Sequence, residues 1–145
     1  MIYDCGGNQL PLSLLSLNKD IEFGLSAEGK VIDTIGTFFG EEVKKTEDKY
    51  CPYDAVSTDT KYEIKTRRNK YNAFPTTIIP VHKTRVEGRL VFVFNFIDGL
   101  YYIVYEPVRF SKYDIQNVGA VRKGGVWSSQ PHYFIPIKDL LKIDI

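Results

Sequence analysis

Cysteine is nearly missing from this 145-residue sequence. Its two residues, Cys5 and Cys51, show no CxxC spacing and no cluster with histidine. That argues against a zinc site and against a disulfide scaffold, and it fits a reducing, intracellular setting. The N-terminus lacks a basic segment followed by an apolar run, and no apolar stretch is long enough to span a bilayer. Neither a signal peptide nor a membrane partner is therefore expected. No internal repeat or low-complexity tract occurs, and nothing calls for an organic cofactor. An excess of one charge is absent too: 19 Lys and Arg face 18 Asp and Glu, a net of +1. The total charge thus names no anionic partner.

What is present points to a folded chain. The apolar fraction is 43%, enough for a core, and the length fits one domain. Aromatic residues make up 14%, with 10 Tyr and 9 Phe, a bias that suits strands and partly wet surfaces. The balanced charge is unevenly spread. Residues 1–60 hold 5 basic and 11 acidic side chains, residues 61–89 hold 8 and 2, and residues 90–145 hold 6 and 5. A basic segment beside an acidic one is what a site binding both a cation and a polyanion needs, although a solvated charge run produces the same pattern.

Turn signals at Gly6-Gly7 and Pro11 mark an irregular lead-in. Asn18 can cap a helix that runs to about Phe39, with Gly40 ending it. Val31, Ile32, Ile35, Phe38 and Phe39 form its buried stripe, and Glu28 lies on or beside that stripe. Strand-like runs follow at about Val43–Ser57, broken at Pro52, then at Lys61–Arg68 and Thr76–Val81. A short helical or irregular crossover at His82–Gly88 comes next. Leu90–Phe96 and Leu100–Glu106 then read as a hairpin turning at Asp98-Gly99. The tail carries a Gly124-Gly125 loop, Trp127, and a short apolar end, Ile135–Ile145, that fits either strand or helix. The expected fold is α/β, a central mixed sheet flanked by helices in the order αβββαβ. It forms one domain over residues 1–145, with a core over about 18–106 and a C-terminal extension over 107–145.

The chemistry concentrates between Cys51 and Arg68. Alternation along a strand places Glu63 and Lys65 on one face, with Arg67 beside them, and Tyr62 and Ile64 on the other. If the hairpin turns at Thr58-Asp59, Val56 opposes Lys61, Ala55 opposes Tyr62 and Asp54 opposes Glu63. Opposed residues share a face, with Cβ atoms about 4.5–5.5 Å apart. Two carboxylates so close repel unless a divalent cation lies between them, and Mg²⁺ takes few carboxylates alongside waters and phosphate oxygens. Lys65 can orient or help deprotonate the attacking water, while Arg67, Arg68 and Lys70 can hold flanking phosphates. A surface hairpin with a cross-strand ion pair is the plainer alternative.

This segment resembles the PD-(D/E)XK nucleases of the restriction-endonuclease-like fold. Asp54 stands for the motif's first acid and Glu63-Ile64-Lys65 for its (D/E)XK. The span from about Asn18 to Tyr105 resembles the small phage- and virus-type members, in which a basic run and a short Pro-Thr strand follow the lysine. Here those are Arg67-Arg68-Asn69-Lys70 and Pro75-Thr76-Thr77. The resemblance implies a metal-dependent nuclease acting on DNA. Asp54, Glu63 and the main-chain carbonyl of Ile64 would bind Mg²⁺, with Mn²⁺ as a substitute, and Lys65 would act on the water. Glu28 would supply a further metal-associated carboxylate. Such domains often form homodimers. The sequence departs from the family at Tyr53, which separates Pro52 from Asp54, and Asp59 is a weaker competitor for the acid.

Lys83 and Arg85 follow the third strand, where the family often lines its substrate groove, so phosphate contacts are expected there. His82 reads as a structural or surface residue, and Arg122-Lys123-Gly124-Gly125 as a surface turn, while Tyr71 and Phe74 read as packing ahead of a role stacking on nucleobases. Two other readings remain: a non-catalytic DNA-binding or assembly module on the same fold, and a docking sheet built on the aromatic hairpin 90–106.

Overall fold

The computed structural model describes residues 27–46, 51–121, 125 and 127–144. Helix α1 (Ala27–Phe39) buries Val31, Ile32 and Ile35, with Phe38 and Phe39 packed against the same cluster. Their three- and four-residue spacing lines up one helical face. Gly40, at φ 67°, ends the helix, and the Glu41 N–H donates to the Gly36 carbonyl at 3.0 Å. That bond closes a left-handed C-cap, a conformation glycine enters without steric cost. The expected helical residues 18–26 lie outside the described residues.

Two short strands, β1 (Lys44–Lys45) and β2 (Ala55–Val56), lead into β3 (Thr60–Thr66). The β2–β3 hairpin pairs Ala55 with Tyr62 and Val56 with Lys61, the register that a turn at Thr58-Asp59 dictates. The Ser57 N–H donates to the Thr60 carbonyl at 2.8 Å, and the Ser57 hydroxyl accepts the Thr60 N–H at 3.2 Å. These bonds lock the turn without glycine. Strand β3 then pairs in parallel with β5 (Arg89–Phe96), which pairs antiparallel with β6 (Gly99–Val104). Strand β9 (Leu141–Lys142) closes the far edge, completing a six-stranded mixed sheet in the order β1-β2-β3-β5-β6-β9.

A second sheet has the order β4-β8-β7, built from β4 (Thr76–Pro80), β7 (Asp114–Val121) and β8 (Trp127–Pro136). It covers the face of the first sheet opposite α1. Ile79 and Ile135 from this sheet join Leu90, Phe92, Phe94, Phe96 and Ile103 in one cluster, while Tyr62, Val91 and Val93 face the helix. A fully buried side chain of this kind contributes about 1.5–3 kcal/mol. β5, apolar on both sides, is the strand from which both clusters grow.

Several expectations are corrected. The mixed sheet is flanked by one helix and one sheet rather than by helices. The Pro-Thr strand forms, but as β4 it leaves the central sheet. Pro80 lacks an N–H and suits β4's position at an edge. The crossover to β5 contains a 3₁₀ turn (Val81–Thr84) in place of an α-helix. The second hairpin pairs Phe96 with Gly99, so its turn falls one residue early, at Ile97-Asp98. The Asp98 carboxylate accepts the Tyr71 N–H at 2.9 Å. Beyond Glu106 come a short helix α2 (Pro107–Phe110), the β7–β8 hairpin and β9, so the tail completes both sheets. Trp127 is 67% exposed and lies against Gly119, leaving no room there for a Cβ. Cys51 is disulfide-bonded. One bridge is no scaffold, but it removes the reason for reading a reducing setting from the cysteine count. Among the described residues, no helix is long and apolar enough to cross a membrane.

Candidate active site

The β2–β3 ladder stops at Ala55, so the expected pairing of Asp54 opposite Glu63 does not form. The Asp54 N–H donates to the Tyr62 carbonyl at 2.9 Å, and its Oδ2 accepts the Ile64 N–H at 2.8 Å. Thr46 fastens the other side of this residue. Its N–H and hydroxyl both donate to the Asp54 carbonyl, at 3.0 and 3.1 Å, and the hydroxyl also reaches the Tyr53 carbonyl at 2.8 Å. The Asp54 carboxylate is thereby held at the end of the hairpin, beside the middle of β3. In a strand, the N–H and C=O of one residue leave on the same side. The Ile64 carbonyl therefore points to the edge where Asp54 sits.

Glu63 faces the second sheet, in register with Phe92 of β5. Its side chain is 4% exposed, an unusual place for a carboxylate. Lys65 Nζ lies 3.1 Å from its Oε1, and Lys83 Nζ lies 3.5 Å from the same atom. Its Oε2 is buried and has no hydrogen-bond partner among the described residues. Burial pushes the Glu63 pKa up and the Asp54 charge adds to that rise, while Lys65 and Lys83 pull it back in part. The cluster thus holds two acids and two cations, with one carboxylate oxygen saturated and the other orphaned.

The remaining expected residues divide. Lys83 is drawn into the cluster by the 3₁₀ turn after β4, so its position is a contact to Glu63 rather than a groove wall. Arg67 is half-buried between the sheets, where its Nη2 donates to the Ile78 carbonyl at 2.6 Å and its Nε to the Thr77 hydroxyl at 3.3 Å. Its guanidinium also lies over the Phe94 ring at 5.7 Å. The expected phosphate contact at Arg67 gives way to a bridge between layers. Arg68, Lys70 and Arg85 are exposed and free in geometry to meet phosphates. Glu28 pairs with Lys45 at 3.5 Å. No group of three His, Cys, Asp or Glu side chains that could hold one ion occurs among the described residues. Glu28 therefore does not form such a group with Asp54 and Glu63. Asp59 lies exposed in the turn. His82 is exposed, and partial burial with the charges of Lys83, Arg85 and Lys65 lowers its pKa, which places it near the cationic side of the cluster. Sequence reasoning missed Thr46, because nothing in its neighbours signals a clamp on a residue eight positions later.

Comparison of the chain with protein-family models, with curated proteins and with solved structures returned no match. The functional reading rests on the residues of this chain.

Proposed function

We propose that this chain is a Mg²⁺-dependent nuclease hydrolysing DNA phosphodiester bonds on a PD-(D/E)XK plan. One observation carries the reading: a buried Glu63 whose Oε2 lacks a partner among the described residues, beside a carboxylate fixed by main-chain bonds. A protein has no structural reason to bring two acids together at the end of a hairpin and leave an oxygen unsatisfied, because an unmet buried acceptor costs about 1–3 kcal/mol. The donor set fits Mg²⁺. It offers Asp54, Glu63 and the Ile64 carbonyl, all oxygen, with neither thiolate nor imidazole among them. The order α1, hairpin, β3, crossover and β5 supports the restriction-endonuclease-like core, with a 3₁₀ turn standing where that core has a helix.

When bound, Mg²⁺ supplies positive charge to the scissile phosphate and eases deprotonation of water. Asp54 and Glu63 would hold it, and the Thr46 clamp keeps Asp54 from drifting. Lys65, against Glu63, orients the attacking water and handles its proton. Lys83 shares the Glu63 oxygen and supplies a second cation for the phosphate oxygens. Arg68, Lys70 and Arg85 hold neighbouring phosphates and set the strand's path.

The test is cleavage of labelled single-stranded, duplex and four-way-junction DNA with Mg²⁺ or Mn²⁺, against EDTA and against Lys65→Ala. Metal-dependent cutting that Lys65→Ala abolishes is the expected result. Binding that EDTA leaves unchanged, with no cutting of any substrate, would replace the reading with a non-catalytic binding module.

A further inference from the structure

Beyond the Arg67 end of β3 lies a cleft of about 440 Å³, bounded by the 69–75 loop, the start of β4 and Phe96. That volume is in the range of small-ligand sites. Its walls are aromatic. Tyr71 is immobilised: its ring stacks on Tyr101 at 3.9 Å, and its hydroxyl donates to the Ile137 carbonyl at 2.7 Å. Phe74, by contrast, is 60% exposed and makes no ring contact with any described residue. Arg67, Asn69, Thr76 and Thr77 bring polar groups to a lining completed by aromatic and aliphatic side chains. Arg68 and Lys70, both exposed, adjoin the lining residues Arg67, Asn69 and Tyr71 along the chain.

We propose that this cleft receives an unpaired nucleobase of the strand being cut, stacked against Phe74, with Arg68 and Lys70 holding the adjoining phosphates. A flat aromatic ligand explains why a large ring is held in water beside a rigid aromatic wall, since base–aromatic stacking needs only a π face. The paired cations give the complement to a phosphate backbone. Position agrees as well. Arg67 follows Lys65 by two residues, just past the end of β3 and about 7 Å along the chain, so the cleft lies within a nucleotide or two of the catalytic cluster. A base inside a duplex cannot reach it, so the substrate class is single-stranded DNA, or a site where a base is unpaired or flipped out.

This proposal rests on the nuclease reading for its substrate, but its test does not require cutting. In EDTA, affinity is measured for a single-stranded oligonucleotide carrying 2-aminopurine, the same strand made abasic, and the duplex. The protein is tested as wild type, Phe74→Ala and Phe74→Trp. The expected results are tightest binding of the single strand, a loss of about tenfold in Phe74→Ala, recovery in Phe74→Trp, and equal binding of the abasic strand by all three. An unchanged affinity in Phe74→Ala would overturn the proposal. So would an equal loss with the abasic strand, which would leave the cleft to an apolar side chain of a protein partner, or a failure to bind any strand. Cleavage with Mg²⁺ is read separately. Cutting of duplex that ignores Phe74→Ala sinks the cleft and keeps the nuclease, whereas base-dependent binding without cutting does the reverse.

Discussion

Glu63 sits where burial and Asp54 both resist its charge, while Lys65 and Lys83 favour it. Its pKa in the folded chain is raised, so the folded state holds that proton more firmly than the unfolded one. The stability this gives is present in acid and lost as pH rises through the raised value. Glu63→Gln is therefore expected to raise the melting temperature of the metal-free chain at neutral pH, followed by far-UV circular dichroism in EDTA. In the same variant Mg²⁺ should no longer raise it, whereas the wild-type gain should fade as pH falls through the Glu63 titration, where protons compete with the ion. Lys83→Gln removes one of the two cations, so the acid limb of the pH profile of kcat/KM should move to higher pH. Lys65→Ala should flatten activity at every pH. The shared face of Glu63 and Lys65 was legible because alternation fixes it, whereas the place of Asp54 was not, because the ladder ends at Ala55 and Asp54 bonds to Tyr62 and Ile64 instead of opposing Glu63. The place of Arg67 between the sheets was not legible, because alternation names a face without saying what covers it. The contact of Lys83 with Glu63 was not legible, because the path of a crossover is a tertiary matter.

Among elements, α1 and its cap are the parts most directly written in residue spacing. Ile35 is fully buried, and Ile35→Ala should cost about 2–5 kcal/mol in urea titration. Gly40→Ala meets no neighbour within 4 Å but must adopt φ 67°, so it should cost about 1 kcal/mol from backbone strain alone. The strands β3, β5 and β6 were legible for a similar reason, as β-rich runs bounded by turn residues. The hairpin of β7 and β8 was not. β7 is largely exposed, so no alternation of buried and wet residues marks it, and Pro131 inside β8 reads as a break until its ladder with Asn117 is seen. β4 shows the limit of pattern reading: its strand character is local, but the sheet it joins is decided by β8, some fifty residues later.

At the scale of the molecule, two sheets share one apolar interior, and Arg67 spans the seam between them. Arg67→Met keeps much of the packing and loses the bonds to Thr77 and Ile78. It should lower stability by about 1.5–3 kcal/mol and reduce cleavage, because β4 carries the turn that delivers Lys83 to Glu63. Chemical denaturation alongside single-turnover kinetics would separate the two effects. The hairpin of β7 and β8 continues past the last β4 pair, Pro80 with His132. On that overhang sits Trp127, the one tryptophan of the sequence. The chain therefore carries a built-in fluorophore at its rim rather than in its core. Its emission should already be that of a wet indole in the native state, change little when the interior melts, and respond first to whatever docks on the overhang.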